Sequence, residues 1–229
     1  MGRRGLVSPV ICLVTDRRRT APDARTERDA CAALVRLCGD AIAAGVSMIQ
    51  IREPGLPAAE LCALARDVVR AARGSATDVV VNDRADVARA AGARGVHLRA
   101  DGPPADVVRS MDEDWLIGRS HHGDKPLIGG AALDYVIFGT VFATSSKPDV
   151  IACGPDALAD ATRRLRVPVL AIGGVTPANA ADVARTGAGG LAAIGAFLPI
   201  GASPDACGAA RAVADLRAAF DRGRNSLVE

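Results

Sequence analysis

Eight short apolar runs recur along the chain, at residues 10–15, 48–52, 79–82, 95–98, 115–120, 135–139, 168–172 and 190–194. Several are continuous Val, Ile and Leu with no alternating polar positions, the pattern of strands buried on both faces. Helical periodicity fills the gaps between them. Over 28–44, Ala32, Leu34, Val35, Leu37, Cys38 and Ile42 form one apolar stripe, and over 58–72 the stripe is Leu61, Leu64, Ala65, Val68 and Val69. Further helices are expected at 179–185 and 205–222, the latter bounded by Ser203-Pro204 and Gly223. Strands that alternate with helices pair in parallel through right-handed crossovers. Eight such units close most naturally into a (β/α)8 TIM barrel. An open doubly wound sheet is the competing α/β arrangement, but no Gly-x-Gly-x-x-Gly follows any run. The expectation is one domain over residues 1–222, with 223–229 as a polar, frayed tail.

Composition narrows the partners. A chain of 229 residues, 49% hydrophobic, can bury one large core. Its 28 basic and 26 acidic residues leave a net charge of +2, which gives no broad field for nucleic acid or an anionic membrane. Aromatic residues make up only 3%, too few for a base-stacking platform. No run nears the roughly 18 apolar residues needed to span a bilayer. The first residues mimic a secretory leader, but Pro9 interrupts them and Asp16-Arg17-Arg18-Arg19 stands where a small-residue cleavage site would. They read as a first strand. The six cysteines, Cys12, Cys31, Cys38, Cys62, Cys153 and Cys207, form no Cys-x-x-Cys pair, as expected of reduced thiols in a cytoplasmic protein. Homo-oligomer formation is left open.

In a barrel the chemistry sits where strands end. Run two exits through Gln50 and Arg52, which alternation puts on one side, inward; run three exits through Asn82-Asp83-Arg84. His97 precedes Arg99 and Asp101, and run five exits through Arg119-Ser120-His121-His122. After run six come Thr144, Ser145, Ser146 and Lys147, the last being one of only two lysines. Gly173-Gly174 and Gly195-Ala196 end runs seven and eight, where barrels commonly hold phosphate on backbone N–H groups. Either exit alone would be a tight turn; together they suggest a cradle, with Arg52 and Lys147 as cations beside it. His97, inside a strand, reads as structural, whereas His122 at an exit can meet a ligand and move a proton. Neighbouring His121 and His122 diverge and lack a nearby third ligand, so zinc has no support.

The motifs Gln50-x-Arg52-Glu53, Asn82-Asp83-Arg84, Gly95-Val-His97-Leu98, Phe142-x-Thr144-x-Ser146-Lys147, Ile172-Gly-Gly-Val175-Thr-Pro177 and residues 190–196 together resemble the thiamine-phosphate synthase superfamily, in order and from about residue 10 to 197. That resemblance implies one of two activities. The synthase joins a hydroxymethylpyrimidine diphosphate to a thiazole phosphate and releases pyrophosphate with Mg2+. It would put Arg52 and Lys147 on the pyrophosphate, Thr144 and Ser146 on its oxygens, Asn82 in support and Asp83 on the metal. This sequence departs from the synthase pattern by having Pro54 at a Lys position and Gly102 at a second metal Asp, for which Asp101 could substitute. The tautomerase branch needs only a phosphate cradle and one acid–base group to aromatise a thiazole carboxylate phosphate. Ile117-Gly-Arg119-Ser120-His121-His122 resembles its motif, which makes His122 catalytic and Arg119 the discriminating residue. The expectation is therefore a thiazole tautomerase, an isomerase without cofactor or metal. Its substrate would be a small phosphorylated thiazole contacting Gln50, Arg52, Asn82, Arg119, Ser120, Thr144, Ser146, Lys147, Gly173, Gly174, Gly195 and Ala196. The alternatives are the synthase, a transferase with Asp83 and Asp101 on Mg2+, and a non-catalytic barrel that only binds a phosphorylated ligand. The segment after His122, with Pro126 and Gly129-Gly130, is shorter than the superfamily's usual helix.

Overall fold

Each apolar run becomes a strand: β1 (Val10–Val14), β2 (Met48–Ile51), β3 (Asp78–Asn82), β4 (Gly95–Leu98), β5 (Leu116–His121), β6 (Tyr135–Phe138), β7 (Val169–Ile172) and β8 (Gly190–Ala193). The structure, a computed structural model, describes residues 5–123, 127–144, 149–198 and 207–226. All neighbouring strands are parallel, and β1 pairs with β8 to close the sheet in sequence order. The chain is a single-domain (β/α)8 barrel.

Alternation along the strands divides the core in two. Val10, Cys12, Val14, Met48, Val80, Leu116, Tyr135, Ile137, Leu170 and Ala192 fill the barrel interior. Residues of opposite parity, such as Ile11, Ile49, Val81, Val96 and Ile117, pack against the surrounding helices. Those helices are α2 (Glu27–Ala43), α3 (Ala58–Ala71), α4 (Ala85–Ala91), α5 (Ala105–Arg109), α6 (Gly154–Arg164), α7 (Ala180–Arg185) and α8 (Cys207–Asn225), with a single turn, α1 (Arg17–Thr20), directly after β1. α2 starts cleanly because the Thr26 hydroxyl accepts from the Asp29 N–H at 3.1 Å. The β5–β6 crossover is the exception: its described residues carry only a 3-10 turn at Gly130–Ala132.

One expected boundary is corrected. α8 runs through Gly223 to Asn225 and does not stop at Arg222. Gly223 is there for approach, because a Cβ on it would lie 2.3 Å from the Ala181 carbonyl oxygen of α7. Glycine lets the two helices touch backbone to backbone. Ser203-Pro204 lies outside the described residues.

Candidate active site

The C-terminal strand ends surround an open cavity of about 1040 Å3. Gln50, Arg52, Asn82, Asp83, His97, Asp101, Ser120, His122, Thr144, Gly173, Gly174, Gly195 and Ala196 all line it. A smaller hollow of about 180 Å3 opens at the opposite end beside Leu6, Val10 and Gly189, and its lining holds no charged side chain.

A chain of polar contacts crosses one wall. Gln50 is only 3% exposed and donates through Nε2 to Asn82 Oδ1 at 2.9 Å, while its Oε1 is buried without a protein partner. Asn82 donates through Nδ2 to Asp83 Oδ2 at 3.1 Å. Asp83 adopts a φ of 59°, in the left-handed region, and accepts from the Arg99 backbone N–H at 2.9 Å. The Arg99 guanidinium closes the chain, with Nε 2.9 Å from Asp83 and 3.6 Å from Asp101.

Beside that chain, on β4, His97 is buried between the Tyr135 hydroxyl at 3.2 Å and the Ser120 hydroxyl at 2.9 Å. Burial, and then the charges of Arg119 and Arg52, push its pKa down from 6.5 to about 3, so the ring is neutral. The tilted Tyr135 ring fits because Gly118 has no side chain; a Cβ there would lie 2.1 Å from Tyr135 Cζ. His97 is a structural residue that orients Ser120. His122 is exposed, and its Nδ1 donates to the Gly139 carbonyl. That bond leaves Nε2 for a second hydrogen bond.

At the exits of β7 and β8 the backbone approaches closely. Gly173 and Gly174 have φ values of 99° and 62°. A Cβ on Gly173 would lie 2.5 Å from Thr140 Cγ2, and one on Gly174 would lie 2.3 Å from the Ala143 carbonyl oxygen. Only glycine permits both the conformation and the contact with the 140–143 segment.

Arg119 does not join this cavity. Strand parity explains why: Leu116, Gly118 and Ser120 face inward, so Arg119 faces the helix layer. It is 1% exposed, and its guanidinium donates to the carbonyls of Arg99, Ala100, Gly102 and Pro103, fastening the loop after β4. Glu53 is likewise occupied, accepting from the Arg17 backbone N–H at 3.2 Å and from Arg17 Nη1 at 3.1 Å. Ser146 and Lys147 lie outside the described residues. Three arginines to which the sequence reading gives no role in the site line the cavity as well, Arg19, Arg84 and Arg99. Arg19 Nη2 would be 3.4 Å from a Cβ on Gly195. The signal was available, since Arg17-Arg18-Arg19 begins just past the exit of β1.

A closed parallel barrel with a polar, open cavity at its C-terminal strand ends is of the class that takes small polar ligands at that face. Within that class, a family model described as thiamine monophosphate synthase matches residues 13–197. The chain belongs to that family. It is 40% identical over 188 residues to a putative thiamine-phosphate synthase of Geobacter sulfurreducens, covering 79% of this chain and 85% of the relative. The thiamine-phosphate synthase of Methanoculleus marisnigri is 39% identical over 217 residues, 93% of this chain and 97% of that one. Among solved structures, thiamine phosphate pyrophosphorylase from Pyrococcus furiosus superimposes with a TM-score of 0.75 at 26% identity, covering 93% and 96% of the two chains.

These relatives overturn the expectation of a thiazole tautomerase, an isomerase; they are named as synthases, which are transferases. The structure supplies a reason for the error. The preference hung on Arg119, and Arg119 is tied to a loop backbone behind the strand, where it contacts no substrate space. Among the described residues, no helix is long and apolar enough to cross a membrane.

Proposed function

We propose that this chain is a thiamine-phosphate synthase, joining hydroxymethylpyrimidine diphosphate to thiazole phosphate with release of pyrophosphate. The observation that carries this reading is the Gln50 side chain, whose buried Oε1 lines the cavity without a donor. A buried, unpaired acceptor costs about 1–3 kcal/mol. A substrate that brings an N–H group, such as the amino group of the pyrimidine, recovers it.

In this reaction the bond between the pyrimidine methylene and the diphosphate oxygen breaks, and the thiazole nitrogen bonds to that methylene carbon. Negative charge grows on the departing oxygen, so the useful protein groups are fixed donors and cations near it. Arg52 lines the rim, with its backbone held by the Thr15 hydroxyl at 2.9 Å. We assign it to the diphosphate, with Thr144 and, from the sequence motif, Ser146 and Lys147. Gly173-Gly174 and Gly195-Ala196 are assigned to the thiazole phosphate, with Asn82 and Ser120 supporting the pyrimidine side. His122, held through Nδ1 by the Gly139 carbonyl, is assigned to a hydrogen bond with the substrate at the rim.

The family chemistry implies Mg2+ on Asp83 and Asp101. As they stand, these carboxylates do not fit it. Both face the Arg99 guanidinium, and Asp83 also accepts from Asn82 and the Arg99 N–H. No cluster of three His, Cys, Asp or Glu suited to a metal occurs among the described residues. The reading is tested by mixing the purified protein with both substrates and Mg2+ and measuring pyrophosphate and thiamine phosphate. Absence of both products, with the protein folded, sinks it.

A further inference from the structure

Two acidic groups at the cavity rim already have a cation between them. Asp83 and Asp101 leave adjacent strand ends and would be the oxygen donors for a divalent ion at this rim. Arg99 stands between them, its Nε 2.9 Å from Asp83 Oδ2 and 3.6 Å from Asp101 Oδ1. Its own backbone N–H donates to the other Asp83 oxygen at 2.9 Å. The loop that carries both Arg99 and Asp101 is anchored from behind by Arg119, which bonds the carbonyls of Arg99, Ala100, Gly102 and Pro103. Arg119 also feels the charge of both carboxylates. Two acids are thus balanced by two guanidiniums, one in contact and one behind.

We propose that Arg99 is a built-in counter-cation that occupies the space between Asp83 and Asp101 and weakens divalent-metal uptake by the free protein. The chemistry is direct competition: Mg2+ takes one or two carboxylates and completes its shell with water and phosphate oxygens. A guanidinium in hydrogen-bond contact with the same oxygens must leave first, and its charge repels the ion. The proposal rests on the synthase reading for the identity of the metal, but its test needs no turnover.

Mn2+ serves as the paramagnetic probe, titrated into substrate-free protein while free Mn2+ is read by electron paramagnetic resonance. Arg99→Gln is expected to bind Mn2+ about tenfold more tightly than the parent, a modest factor because the Arg99 and Asp101 side chains are 66% and 83% exposed and screened by solvent. Arg99→Lys, which keeps the charge, is expected to bind as weakly as the parent. Adding Asp83→Asn to Arg99→Gln is expected to abolish the gain. The proposal is overturned if Arg99→Gln binds no more tightly, if Lys and Gln give the same gain, or if the gain survives Asp83→Asn. A tightened Mn2+ site without pyrophosphate release would leave this inference standing and remove the synthase reading; the reverse result would do the opposite.

Discussion

Arg119 is a buried positive charge whose hydrogen bonds all go to backbone carbonyls of one loop. Replacing it with Leu leaves four loop carbonyls short of their charged partner. We expect a loss of about 3 kcal/mol in urea unfolding, with partial recovery in Arg119→Lys. Native stability in the Leu variant would show that the loop does not depend on this side chain. His97 gives a pH signature. Its native pKa of about 3 lies below the ordinary 6.5, so in acid the unfolded ring takes up a proton that the native ring refuses. Stability from this residue is complete above about pH 6.5 and declines as pH falls toward about 3, by up to about 1.4 kcal/mol per pH unit. Unfolding midpoints of parent and His97→Gln should diverge accordingly, with the parent showing the steeper acid loss. The sequence made His97 legible as a structural residue, because it interrupts an apolar strand. It made Arg119 misleading, because a family motif was read without the strand parity that sends its side chain outward.

Among the elements, α7 and α8 meet through Gly223, whose missing side chain sets their separation. Gly223→Ala must push the helices apart and is expected to destabilise by about 1–3 kcal/mol. Gly208 lies in the same helix, and a Cβ added to it would meet nothing within 4 Å. Gly208→Ala should therefore stabilise by up to about 1 kcal/mol. Thermal melts of the two variants should move in opposite directions; a shared direction would mean that helix propensity, and not close approach, governs both. The strands and longer helices were legible because their apolar periodicity is local. In sequence Gly223 reads as a stop, because a glycine that ends a helix and one that lets two helices touch look alike until the partner helix is placed. The β5–β6 crossover was legible as short, since Gly129-Gly130 leave little helical sequence there.

For the molecule as a whole, the cavity joins residues from all eight strand ends, and its cations are exposed to any anion that enters. Inorganic pyrophosphate at about 100 times its Kd should stabilise the native state by about 2.7 kcal/mol, raising Tm by roughly 5–10 °C for a chain of this size. No shift at any concentration would mean that the cavity does not retain a diphosphate. The position of the site was legible before the structure, because strand exits in a barrel converge at one face. The Gln50–Asn82–Asp83–Arg99 chain was not, because it depends on side-chain reach between strands, which sequence order does not encode. The closing of β8 onto β1 has a further consequence. A sheet that returns to itself has no outer strand with a free row of N–H and C=O groups, so another chain cannot extend it by adding a strand. A contact between copies through the barrel therefore has no shared sheet ladder to lock it, and its strength follows surface shape and charge.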